Sequence, residues 1–67
     1  MFNKDKFCGK VKSCGMTLEQ AAQCLGINSA TLSRKINGSS DFTRNEIELL
    51  RQKLSLSFDD IKSIFFN

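Results

Sequence analysis

The stretch 17–38 constrains the fold more than any other, because it starts two helices and stops both within 22 residues. Thr17 opens the T-L-E-Q string, a capping box in which the Thr17 hydroxyl accepts from the Gln20 amide while the Gln20 side chain returns to the Thr17 amide. Leu18, Ala21, Ala22 and Leu25 form the apolar stripe of this helix, with Leu18 expected in the core, and Gly26 stops it. Ile27 is expected as a buried bridge. Asn28 or Ser29 then caps a helix running to about Asn37, which Gly38 closes. Leu32 and Ile36 lie one turn apart and point inward. Two helices this short cross steeply only where their contact is small and the turn is tight. Ala22 supplies the small contact and Gly26 the positive φ, and Leu25, Ile27 and Leu32 lock the pair.

The flanking segments read as helices too. The chain has no proline and little period-2 alternation, which together favour an all-α fold. Phe7, Cys8, Val11 and Cys14 share one face of a first helix, ended by Gly15 in the left-handed position. A fourth helix starts at Thr43 with the capping box T-R-N-E and buries Ile47, Leu50 and Leu54. A fifth starts near Ser57 with the weaker box S-F-D-D and carries Phe58, Ile61, Ile64 and Phe65. Sixty-seven residues make one domain, 1–67, without internal repeat or linker. A chain of this size buries only about 60% of its unfolded surface, so all five helices must share one core.

The net charge of +3 is unevenly placed. Residues 1–13 contribute +3, from Lys4, Lys6, Lys10 and Lys12 against Asp5, and Arg34 and Lys35 add +2, whereas residues 56–67 sum to −1. A polyanion would meet one side of such a protein, although composition by itself describes a solvated lysine-rich face equally well. Cys8, Cys14 and Cys24 form no CxxC pair and the chain has no histidine, so neither a zinc site nor a disulfide framework is expected. Cys8 and Cys24 suit the core. No apolar run reaches the roughly 20 residues of a membrane span and no signal peptide is evident. The cytoplasm is therefore the expected location.

The residues Ala22, Gly26, Leu32 and the closing Asn37-Gly38 fall at the spacing of a known motif. The stretch 17–37 resembles the helix-turn-helix of the phage lambda and 434 repressor and Cro family (XRE-like), and the five-helix order extends the likeness over nearly the whole chain. The ending D-D-I-K-S-I-F-F, after the T-R-N-E helix start, is similar to short Cro-like regulators of phages and prophages of Gram-positive bacteria. The resemblance implies a compact lambda-repressor-like DNA-binding domain that regulates transcription, in a bacterial or phage-infected cell. A chain of 67 residues leaves no room for the second domain of larger phage repressors, so a Cro-like or short standalone repressor is the expectation.

The resemblance places the third helix in the major groove, with Ser29, Ala30, Ser33 and Arg34 at base edges. Ala30 suits a thymine methyl, and Arg34 can pair bidentately with guanine or take a phosphate. Lys10, Asn28, Thr31, Lys35, Asn37 and Arg44 are expected at phosphates, with Arg44 alternatively in the minor groove. One departure is Leu18, where the family often has a phosphate-touching Gln. That contact is absent or comes from Thr17, Glu19 or Gln20, of which Thr17 and Gln20 are taken as the phosphate ligands. The partner is thus double-stranded DNA, bound as a homodimer formed in solution or only on DNA. The fifth helix has more apolar side chains than one face can bury. Phe65 is expected to complete the core, leaving Phe66 and Ile64 for a dimer contact.

No catalytic set is expected: there is no histidine, nucleophile–base pair or Gly-rich phosphate loop, and Asp59 and Asp60 suit a first helical turn. No cofactor, metal, membrane or small-molecule substrate is implied. The competing expectation is a helix-turn-helix protein-interaction module, such as an antirepressor or antitoxin-like partner.

Overall fold

The structure, a computed structural model, describes residues 2–66. Among them it is all-helical: α1 (Lys4–Ser13), α2 (Leu18–Leu25), α3 (Ser29–Ile36), α4 (Arg44–Leu54) and α5 (Phe58–Phe65). Helix α2 packs on both α3 and α4, while α1 bridges α2 and α5. No helix is long and apolar enough to cross a membrane.

Each helix starts where its cap dictates. Asn3, Thr17, Asn28, Thr43 and Ser57 each accept from the amide three residues on, and at Thr17, Thr43 and Ser57 the box is closed by a returning side chain. The stops are equally local. Gly26 at φ 71° ends α2, and its neighbour's amide returns to Ala22 (Ile27 N to Ala22 O, 3.1 Å). Ser55 adopts the left-handed conformation after α4 at φ 53°, and this turn aims Leu56 into the core.

The core is one cluster: Phe7 and Val11 from α1, Ala21 and Ala22 from α2, Leu32 and Ile36 from α3, Leu50 and Leu54 from α4, then Leu56 and Ile64. The amide of Asn3 donates to the Ile64 carbonyl at 2.7 Å, tying the start of α1 to the end of α5. Phe2, Phe42 and Phe65 gather around Phe7 with ring centroids 5.1–6.5 Å apart, in tilted, stacked and edge-on pairs.

Several sequence expectations need correction. Ile64 is fully buried and takes the central position; half-buried Phe65 lies at the rim, among the aromatic rings. The segment just before α1, Phe2 and Asn3, supplies the missing wall, so Ile64 is unavailable to a partner. Leu18 is 39% exposed because a side chain at the first helical position leans back past the helix end, leaving Ala21 and Ala22 to make the packing face. Phe58 is 91% exposed: Leu56 has already filled the core at this corner. Ile27, Cys8 and Cys24 are half-buried rather than fully inside.

Candidate nucleic-acid interface

Leu32 and Ile36 turn one side of α3 inward, which leaves Ala30 and Arg34 on the opposite side, Ser33 and Asn37 on the flank, and Ser29 at the first helical position, at nearly the same azimuth as Ile36. All five are exposed, and Ser29, Ala30, Ser33, Arg34 and Asn37 form one continuous outer surface. The side chain of Arg34 folds toward the helix start and donates from Nη2 to Thr31 Oγ1 at 3.2 Å. That bond restrains the guanidinium while its remaining donors stay outward.

The caps shape this surface electrostatically. Asn28 Oδ1 accepts from the Thr31 amide at 2.7 Å, Thr17 Oγ1 from the Gln20 amide at 3.1 Å, and Gln20 Oε1 from the Thr17 amide at 2.9 Å. In each case the cap engages the acceptor oxygen. The donors stay free: the Asn28 and Gln20 side-chain amide groups and the Thr17 hydroxyl hydrogen. Helix α3 also has no acidic residue in its first turn, so the positive end of its dipole is not offset locally.

Leu18 meets this face across a recess of about 460 Å³, with Ala30, Leu32 and Ile36 as its other apolar walls. Ser29, Ser33 and Asn37 line it as well, and Lys4 from α1 contributes its single charge. Neither Lys4 nor Leu18 emerged from the sequence as a surface residue of this site. Lys4 depends on the start of α1 coming to rest beside the recess, which local spacing does not encode. Leu18 fits helical periodicity, and only its place at the helix start would have signalled exposure.

Two lysines expected at phosphates are engaged elsewhere. Lys35 Nζ is 3.0 Å from Glu46 Oε1, donates to the Asp41 carbonyl at 3.0 Å and sits 5.9 Å from the Phe42 ring centre. Its side chain is only 10% exposed, because position 35 lies on the flank of α3 that faces α4. Lys35 therefore ties α3 to the start of α4 and is withdrawn from the phosphate set. Burial works to raise the Glu46 pKa, but the Thr43 amide and the Lys35 ammonium outweigh it and hold this carboxyl below its usual range. Lys10 pairs with Asp60 of α5 at 3.2 Å, and the Ser57 amide and Lys10 together hold Asp60 low. Thr31 is half-buried, with its amide and hydroxyl bonded to Asn28 and Arg34, so it positions those residues.

Arg44 opens α4 in a different neighbourhood. It borders a second recess with Phe42, Ile47, Glu48 and Phe66, whose ring is 67% exposed. The volumes of the two recesses are alike, and only their chemistry distinguishes them. Comparison of the chain with protein-family models, curated proteins and solved structures finds no match.

Proposed function

We propose that the chain is a sequence-specific regulator of transcription that binds double-stranded DNA, using α2 and α3 as a helix-turn-helix. In this reading α3 enters the major groove, Ser29, Ala30, Ser33 and Arg34 meet base edges, and Thr17, Gln20, Asn28, Asn37 and Lys4 meet phosphates. The observation that carries it is the outer face of α3, uncovered along its length and bordered by caps whose donors are free. Phosphate oxygens only accept, so such a border suits a nucleic-acid backbone. The reading includes a homodimer on two half-sites, with Phe66 as the contact and Arg44 beside it.

Selection of bound sequences from random duplex DNA at a stated salt concentration tests the proposal. A recovered consensus is the expected result. Weak binding without a consensus, fully abolished by salt, would overturn it and favour the second reading, a protein-interaction module. That reading draws on one observation, the Phe58 ring standing almost wholly in solvent beside Arg51 and Leu56.

A further inference from the structure

The recess beside α3 is poorly suited to a phosphate. Its walls are mainly hydrocarbon from Leu18, Ala30, Leu32 and Ile36, and among the described residues it contains no carboxylate and one cation, Lys4. An isobutyl group kept 39% exposed at the first position of α2 adds nothing to the cap that starts the helix, which Thr17 and Gln20 complete between them. It gains by burial only when something apolar arrives. In the major groove the one apolar feature of a base edge is the 5-methyl group of thymine.

We propose that Leu18 is a specificity-determining residue: with Ala30 it forms a notch that receives one thymine methyl per half-site, while Lys4 at the rim takes a flanking phosphate. The inference rests on the DNA-binding reading and adds to it a base preference supplied from α2, outside α3 itself. The charge pattern favours this occupant over an apolar peptide, because among the described residues the only charge bordering the recess is positive. Leu32 and Ile36 form fixed walls, being buried in the core, whereas Leu18 and Ala30 are exposed and close on the ligand.

The experiment uses the full chain and the consensus duplex recovered by selection. Each thymine is replaced singly by deoxyuridine, which removes the methyl and leaves base pairing intact. One position per half-site is expected to weaken binding about fourfold, the effect of a single buried methyl group. In Leu18→Ala the same replacement should matter much less, and in Leu18→Met it should still matter. Placing cytosine and then 5-methylcytosine at that position should recover a similar factor for the wild type and Leu18→Met, and not for Leu18→Ala. Thermal melting establishes that the variants remain folded, as expected for a side chain outside the core. If a consensus exists but no thymine shows a methyl effect, or the effect persists undiminished in Leu18→Ala, the notch is overturned while DNA binding stands. If no consensus is recovered, the DNA-binding reading falls and the notch with it.

Discussion

Helices α3 and α5 are the same length, eight residues, and both begin at a polar cap, yet they present opposite surfaces. The first turn of α5 holds Asp59 and Asp60, which offset its positive end; α3 has no acid there. Along α3 the uncovered side is serine, alanine, arginine and asparagine, which water solvates at little cost. At α5 the exposed groups include, beside Asp59 and Lys62, two phenylalanines, Phe58 at the first helical position and Phe66 just past the last, and each loses free energy in water. One helix is finished toward the core and electrostatically open outside. The other is electrostatically closed and carries unburied hydrocarbon at its ends. In the proposed reading, that difference is what suits α3 to a polyanion and α5 to an apolar surface.

The most severe way to break that contrast is to truncate a residue that sequence spacing assigned to the surface. Ile64→Ala should destabilise the protein by about 2–5 kcal/mol in thermal or urea unfolding, since it opens a cavity at a fully buried site. Ile64→Val, at about 0.5–1.5 kcal/mol, gives a folded reference. Phe66→Ser should leave stability within about 0.5 kcal/mol but lower association measured by sedimentation. Equal losses of stability for Ile64→Ala and Phe66→Ser would show that the two side chains do not divide into core and contact.

The contrast is sharpened next on the α3 side. Arg34→Ala should cost about 1–3 kcal/mol in DNA binding and relax selectivity at one base pair, while melting stays nearly unchanged. An equal loss on every sequence would move Arg34 from base edge to phosphate. Lys35→Ala should do the reverse. It removes a nearly buried tie to Glu46, so stability should fall by about 1–2 kcal/mol, between exposed and buried ion pairs, with the salt slope of DNA binding unaltered. A slope shallower by about 1 would return Lys35 to the phosphate contacts.

Much of the fold was legible because its signals are local. The boxes at Thr17 and Thr43 and the glycines at 15, 26 and 38 act within one turn of chain, and the helices begin and end where those residues dictate. The buried pairs Ala21–Ala22, Leu32–Ile36 and Leu50–Leu54 follow from helical periodicity alone. What stayed hidden depends on contacts between distant segments. Whether Ile64 or Phe65 takes the core centre is decided by Phe2 and Asn3, more than 60 residues away in sequence. The withdrawal of Lys35 depends on the position of Glu46 in α4, and the exposure of Leu18 on the lean of a first-turn side chain. The same limit holds at the border of the candidate interface, where the caps leave some donors available and the ion pairs remove others.

The smallest expected effect concerns acid. Glu46, Glu48 and Asp60 are all held below their ordinary pKa in the folded protein. Thr43 and Lys35 act on the first against its burial, Arg51 acts on the second, and the Ser57 amide with Lys10 acts on the third. A carboxyl depressed on folding contributes stability that is fully present above its unfolded value, about 4 for such groups, and is lost as pH falls through the folded value. Stability should therefore be flat near neutrality, there being no histidine, and should decline below about pH 4.5. Glu46→Gln should make that decline shallower, because the substituted side chain keeps a hydrogen-bond acceptor for the Thr43 amide but no longer titrates beside Lys35. Asp60→Asn should act in the same direction on the α1–α5 side of the molecule, and by less, since its pair with Lys10 is more exposed than that of Glu46 with Lys35. Acid unfolding curves of the two variants against the wild type rank the ties. If Asp60→Asn flattened the curve more than Glu46→Gln, the chief electrostatic tie would lie under α5 and not beneath α3, and the electrostatic contrast between these two helices would lose its structural side.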